Sequence, residues 1–528
     1  MGDQGMTRVR DRLWRCLVLT AALIIGSCTN TPASRPAEAA KDVPRVEINA
    51  EREQPPTDVQ ITETRKLLAT AVLLGQQGER RKSYETLQSV LASPGLRGLP
   101  LNQQHYAVSL AGEMALANGE SKQALQMSRR AISMGDEQPG DWYYRMYAAA
   151  WEKEETEAVL CLTTLAQRWP AKAVGVEGDM VSRILQYTRK DPTGRARLLA
   201  ALFAADYTTD SFDVSNWWRN LALAQLQQGD QAGAARTLAK VTAPYALVSI
   251  LADARFDPVR ASLSVDIPAA IQRQIQSGRD RIKAHPDRLV VVDRLVGDLH
   301  AALHFAEALQ VADQAIAVMN GPDGSRAYTD YADKRVWVLN LRSDVLLSLG
   351  RWDEAVTQMA AAQQIPETGH ANISQTINLA GFYNELGKPA QARAVLDGLT
   401  SGNISPYGSM QAAKERHWSA EQLGDAPEAA RQLEYLQQHR EDSLAALQSA
   451  LIHSNRLDEA AQVLIARLQD PDERIGALLS VQHYKELRRP KRAEETFQRL
   501  QSIQNRPAVR DVIKQLGHVG DYPMLLRP

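Results

Sequence analysis

The 528-residue chain predicts an all-α fold, an α-solenoid of stacked helical hairpins, on three observations. Hydrophobic residues make up an ordinary 44%, yet aromatics are only 6% and there are just 6 Phe. Cores must therefore be built from Ala and Leu, which suits packed helices better than sheets, where β-branched and aromatic residues dominate. Helical periodicity runs from about residue 60 almost to the end. Along that stretch a glycine or asparagine recurs five residues ahead of an alanine, as a helical hairpin requires if the first residue ends one helix and the second sits in the next. The 61 basic and 62 acidic side chains leave a net charge of −1. No basic excess is available for a polyanion, so no nucleic acid is expected as a partner.

Residues 1–27 read as a targeting segment. Arg8, Arg10, Arg12 and Arg15 precede the apolar stretch CLVLTAALII, residues 16–25. Ten residues fall short of the roughly 20 that span a bilayer, so the stretch is a signal core and not an anchor. Ile25, Gly26, Ser27 and Cys28 follow, an aliphatic residue, two small residues and a cysteine, which resembles the lipobox of bacterial lipoproteins. That resemblance implies a diacylglyceryl group on the Cys28 thiol, removal of residues 1–27 and acylation (palmitate) of the new amino terminus. Three chains would make attachment effectively permanent. A plain secretory signal that happens to contain a cysteine is the alternative. Thr29 stands where an inner-membrane retention signal has Asp, so the resemblance implies the outer membrane; a periplasmic setting is the expectation, although the pattern does not encode which face. Residues 28–58 hold Pro32, Pro36, Pro44, Pro55 and Pro56 and few large apolar side chains, a lipidated tether that cannot form a core. Cys161 then remains the one thiol of the body. Its apolar surroundings, AVLCLTTLA, predict a small buried hydrophobe.

The body repeats. Gly78, Gly119, Gly229, Gly350, Gly387, Gly424 and Asn455 stand five residues before Ser83, Ala124, Ala234, Ala355, Ala392, Ala429 and Ala460. Twelve residues before the small residue a second one recurs: Ala71, Gly112, Ala222, Ser343 and Ala380. Small against small lets two helix backbones approach. Trp142 and Trp218 stand sixteen before Ala158 and Ala234, Tyr383 and Tyr484 occupy a tyrosine position, and Pro170 is a helix stop. This pattern resembles the tetratricopeptide repeat (TPR), a helix-turn-helix unit of about 34 residues. With Ala196, Ala308 and Ala493 as further anchors, it predicts about twelve hairpins. An N-terminal block is expected over 59–242, an irregular helical junction over 243–284, a C-terminal block over 285–515 and a tail over 516–528. The junction contains PYALVSILADARFDPVRASLSVDIP, which breaks the pattern.

Chemistry is sparse. In HAALH, His300 and His304 are expected four apart on one helix face with Glu307 beyond, a weak metal-site candidate because Ala301 stands where a zinc hydrolase of this type has its glutamate. No nucleophile elbow or phosphate-cradling glycine loop occurs, and no cofactor is implied. Acid pairs such as Asp353 with Glu354 and Glu494 with Glu495 open second helices, where they favour the macrodipole. The expectation is a non-enzymatic protein. The TPR resemblance places partner contacts on the inner face of each first helix: Tyr143, Tyr147, Asn216, Arg219, Trp337, Asn340, Asp344, Ser374 and Asn384. Tyr143, Tyr147 and Trp151 share a helical stripe that would either stack on a sugar or apolar side chain or pack between repeats. The sequence therefore reads as an outer-membrane lipoprotein scaffold for envelope proteins, active in cell-envelope assembly or export. The alternatives are a glycan-binding module for exopolysaccharide or peptidoglycan, or a regulator of a peptidoglycan enzyme.

Overall fold

The computed structural model describes residues 54–209, 212–366, 372–399 and 404–526. Cys28, the targeting segment and most of the tether lie outside the described residues. The chain forms two compact units, Met1–Tyr207 and Thr208–Pro528. The division falls upstream of the 243–284 stretch, which lies inside the second unit.

In unit 1, Thr57 and Gln60 form a reciprocal capping box that starts α1 (Asp58–Gln76). Then come α2 (Arg80–Ala92), α3 (Leu101–Ala117), α4 (Ser121–Ser133), α5 (Pro139–Trp151), α6 (Glu155–Arg168), α7 (Pro170–Val174), α8 (Gly178–Tyr187) and α9 (Pro192–Ala204). Helices that follow one another pack together from α1 to α6, and α3 also packs on α5. First helices thus form one layer and second helices another.

Unit 2 opens with α10 (Ser215–Gln227) and α11 (Gln231–Leu238), then α12 (Pro244–Ala252), α13 (Asp257–Arg260) and α14 (Ile267–Ala284). Its regular part is α15 (Leu289–Ala301), α16 (Phe305–Met319), α17 (Gly324–Ala327), α18 (Tyr331–Ser348), α19 (Trp352–Gln363), α20 (Ile373–Glu385) and α21 (Pro389–Asp397). It continues with α22 (Pro406–Leu423), α23 (Ala426–Gln438), α24 (Leu444–His453) and α25 (Leu457–Gln469), and closes with α26 (Arg474–Ser480), α27 (Lys491–Gln504) and α28 (Pro507–Leu516). First helices again pack side by side, α15 on α18, α20 on α22 and α22 on α24. Among the described residues there is no named strand. The fold is an all-α helical solenoid.

One joint explains the hairpins. Gly78, Gly119, Gly229, Gly350, Gly387, Gly424 and Asn455 all have positive φ. At Gly350 the next amide, of Arg351, donates to Leu346 O at 2.9 Å and Gly350 N to Leu347 O at 3.0 Å, the two bonds of a Schellman cap. Arg351 O then accepts Ala355 N at 3.0 Å, so the residue that ends one helix starts the next. Lys153 and Leu303 adopt the same left-handed backbone five residues before Ala158 and Ala308, without the residue type that favours it. Across the joint Ala71, Ala222, Ser343 and Ala380 are fully buried, as are Ser83, Ala234, Ala355 and Ala392. Ser83 Oγ reaches Ala71 O at 2.7 Å.

Two anchors depart from the pattern. Ala196 lies in α9, whose start is capped by Asp191 through Gly194 N and not by a left-handed residue. Ala493 lies in α27, and the segment ahead of it, with Tyr484, is irregular instead of a first helix. Tyr484 meets Tyr522, with ring centroids 6.1 Å apart.

Residues 516–526 do not trail away. His518 N donates to Ala252 O at 2.8 Å, Leu525 N to Ala301 O at 2.8 Å, and the Tyr245 hydroxyl to Leu525 O. Met524 and Leu525 are buried. The last residues of unit 2 therefore seal against α12 and α15, and Asp253 bridges to Gly517. Burial of Met524 and Leu525 supplies the apolar drive for this closure.

Candidate functional site

In unit 1, the first-helix layer carries an aromatic cluster around a carboxylate. Glu113 sits mid-helix in α3, and burial raises its pKa while the Tyr144 hydroxyl donates to it and Lys172 attracts it. Lys172, on α7, lies 4.2 Å from the Tyr143 ring centroid, within cation–π range. Tyr143 contacts Tyr144 at 5.6 Å and Tyr147 at 4.9 Å, and Tyr147 contacts Trp151 at 5.7 Å. The predicted stripe exists, but its rings are packing elements: Tyr147 is 0% exposed and Tyr143 only 9%. Neither presents a face on which a sugar can stack. The accessible members are Tyr106, 38% exposed, and the half-buried Tyr144. Burial and the Glu113 charge push the Tyr106 hydroxyl pKa up.

A second polar centre locks α3 to α5. Asp141 is buried and accepts Ser109 Oγ at 2.5 Å and Gln138 N at 3.0 Å, with His105 Nε2 at 2.9 Å. This set holds two hairpins in register.

In unit 2, several predicted contact residues form a ladder between hairpins. Asn340 donates to Asp344 Oδ2 at 2.9 Å and accepts Asn378 Nδ2 at 2.9 Å and Gln375 Nε2 at 3.3 Å. One turn of the array further on, Asn384 donates to Glu415 O and Oε2 at 3.0 and 2.9 Å and accepts the Ser419 hydroxyl at 2.9 Å. Asn340 and Asn384 are buried, so their amides join repeats instead of facing a partner. Their side chains satisfy one another, which makes the polar interior tolerable. Asp344 and Glu385 line the same layer. Burial, then the repulsion of Glu385, raises the Asp344 carboxyl to about 7; burial and Glu415 do the same for Glu385.

The remaining predicted positions scatter. Asn216 is exposed and Ser374 half-buried. Arg219 donates to Ser249 Oγ at 3.1 Å and to Asn220 Oδ1, and burial lowers its guanidinium to about 10. Trp337 is 37% exposed.

The histidine pair is not on one helix face. α15 stops at Ala301, Leu303 turns left-handed, and His304 becomes the N-cap of α16. His300 Nε2 instead meets Ser348 Oγ at 2.7 Å, and Glu307 is held by Arg279 at 2.7 and 2.9 Å. His304 Nδ1 stands 3.9 Å from Glu307 Oε2, but His300 turns away to Ser348, and among the described residues no cluster of three metal-ligating side chains occurs. Cys161 is fully buried, and burial pushes its thiol to about 12, so it is an inert core residue. Among the described residues no helix is long and apolar enough to cross a membrane.

No protein-family model matches the chain, and no curated protein matches it. Among solved structures, yeast Tom70 shares 11% identity over 86% of this chain and 100% of its own, with a TM-score of 0.28. The APC/C hetero-tetramer Cut9-Hcn1 shares 12% identity over 86% and 96%, TM-score 0.27. Naa15/Naa10 bound to HypK-THB shares 15% over 84% and 68%, TM-score 0.24. Likeness at this level carries no functional argument, and the fold rests on the helices and joints described above. Those hairpins, with small residues facing across each left-handed joint, are TPR-like.

Tyr106, Glu113, Tyr144 and Lys172 were not among the residues predicted for contact. A signal for one existed: Glu113 interrupts AGEMALA, where a lone acid inside an apolar helix marks either a buried partner or a site.

Proposed function

We propose that this protein is a lipid-anchored scaffold of the bacterial cell envelope, tethered through Cys28 to the outer membrane, that binds protein partners on the first-helix faces of its hairpin array. The observation that carries the interaction role is the repeated joint, which stacks equivalent hairpins while the side chains on successive first helices differ. Such an array offers an extended surface to a partner. Tyr106 and Tyr144, with Lys172 and Glu113 behind them, give unit 1 an amphipathic aromatic surface of the kind that anchors protein interfaces. The lipid anchor and the periplasmic setting rest on the basic, apolar and Ile25-to-Cys28 pattern of the first 28 residues.

Photo-crosslinking in intact cells tests the role. A crosslinker at Tyr106 or Tyr144 is expected to yield discrete protein adducts, and one at Leu160, exposed on the second helix α6, is expected to yield none. Equal adducts at all three positions defeat the surface assignment. For the anchor, palmitate label should vanish in Cys28→Ala; retention of the label overturns lipidation there.

A further inference from the structure

In the irregular part of unit 2, three arginines gather near one carboxylate. Arg219 comes from the first helix α10, Arg255 from the short turn that follows α12, and Arg474 from the start of α26. Helix α10 packs on α12 and on residues 254–256, and α26 packs on α12. Ser249 and Asp253 stand four residues apart at the end of α12, one turn along the same face. Arg219 Nη1 donates to Ser249 Oγ at 3.1 Å. Arg255 grips Asp253, with Nε 2.9 Å and Nη2 2.6 Å from Oδ2 and Nε 3.1 Å from Oδ1. Arg474 Nε and Nη2 donate to Leu468 O at 2.8 Å and Gln469 O at 3.0 Å, the last carbonyls of α25.

The charges do not balance. Asp253 is fully buried, and both its oxygens are engaged by Arg255. Arg219 is half-buried and finds only neutral acceptors. These are the Ser249 hydroxyl, whose own proton goes to Ala246 O at 2.7 Å, and Asn220 Oδ1 at 3.0 Å. Burial is what lowers the Arg219 guanidinium most; Asp253 pulls it back up, and the charge of Arg255 pushes it down again. Arg474 is lowered by burial and by the same Arg255, against the pull of Asp253 and the exposed Asp470. Arg260, the next cation along the chain, already pairs with Asp257.

A half-buried guanidinium among like charges is destabilising until an anion joins it. Donors remain for one, since Nη1 of Arg255 and Nη1 of Arg474 have no hydrogen-bond partner among the described residues. Three guanidiniums against one buried carboxylate leave an excess that a group of charge near −2 fills and a single carboxylate does not. Their planar N–H forks also suit phosphate oxygens.

We propose that Arg219, Arg255 and Arg474 form a binding site for a phosphate group, whether the free ion or a phosphomonoester. The site goes beyond the scaffold reading and does not depend on it, because it is read from unit 2 alone and tested without a protein partner.

The test follows urea unfolding of the full-length protein by circular dichroism, with sodium chloride, inorganic phosphate, glycerol 3-phosphate or acetate at matched ionic strength. About 20 mM phosphate at a millimolar site should raise the wild-type midpoint by about 0.5 M over chloride. Arg219→Met keeps an apolar stem and removes the charge. In chloride it should be at least as stable as wild type, and phosphate should leave its midpoint unchanged. Should that variant fail to fold, Arg219→Lys replaces it; it keeps the charge without the fork and is expected to lose at least half of the phosphate response. A response to glycerol 3-phosphate supports an esterified phosphate as the natural ligand, and a response to inorganic phosphate alone supports the free ion. An equal rise in acetate, an equal phosphate response in the variant, which is the signature of a bulk salt effect, or no response in wild type overturns the proposal. Adducts at Tyr106 and Tyr144 in unit 1 report on the scaffold reading separately.

Discussion

The joint predicts its own energetics, and Gly350 is the cleanest place to measure them. Its φ is +74°, and no atom lies within 4 Å of where a Cβ would be. Gly350→Ala therefore meets no steric neighbour, and its whole cost is the left-handed backbone of an L-residue, about 1–2 kcal/mol. The alanine also narrows the unfolded ensemble, which returns roughly 0.4–1 kcal/mol. The net expectation is a loss of about 1 kcal/mol. Lys153 provides the mirror experiment: it is exposed, has φ +61°, and carries the strain already. Lys153→Gly should gain about 0.5 kcal/mol by the same terms with reversed sign. Urea unfolding followed by circular dichroism gives both free energies. Amide exchange at Arg351, whose N–H closes the cap on Leu346 O, gives a local reading and should speed up about fivefold in Gly350→Ala. Destabilisation by both substitutions, or by neither, would falsify the claim that left-handed strain governs the joint.

Two further predictions concern unit 2. Ala355→Leu places three extra carbons where Ala355 and Ser343 are both fully buried, and should cost about 1–3 kcal/mol, read as a lower urea midpoint. Asp344→Asn should stabilise unit 2 at pH 8 and have no effect near pH 4. With a folded pKa of about 7 against an ordinary 3.8, the native carboxyl holds its proton to higher pH than the unfolded chain, so its contribution to stability falls as pH rises through that window. The full difference would correspond to about 4 kcal/mol. Residual solvent contact and repulsion shared with Glu385 reduce the expectation to about 1–2 kcal/mol. Buried His453 titrates with the opposite sign, because burial lowers its pKa and acid therefore destabilises, so the informative quantity is the wild-type minus variant curve. A difference independent of pH would refute the assignment.

The hairpin rhythm was legible because it is written in residue types with a conformational meaning. Gly229, Gly350 and Gly424 announce a positive φ, and Ala234 and Ala355 announce close approach. Leu303 announces nothing: left-handed without the residue type that favours it, it breaks a helix that HAALH reads as continuing, which is why His300 and His304 read as partners and are not. The contact residues were half legible for a similar reason. Periodicity places Asn340 and Asn384 on first helices, but whether an amide faces solvent or the next hairpin depends on what stands opposite, here Gln375 and Glu415, and no spacing encodes that pairing. Tyr147 illustrates the same limit with a ring. Residues 516–528 lie beyond the last hairpin of the pattern and so read as a tail; the apolar pair Met524 and Leu525 has meaning only once α12 and α15 are in place to receive it.

That closing contact has a consequence for biogenesis. An open array of hairpins can fold progressively, each unit docking on the one before as it is made. Unit 2 completes itself only when His518 reaches Ala252 and Asp257, across 261 positions of chain, and when Leu525 reaches Ala301. Long-range closure of this kind is slow and comes last. Until residues 517–525 are delivered, the α12 face that receives them stays bare, and a chain ending at residue 516 would carry a complete set of hairpins and an unsealed edge open to misassembly.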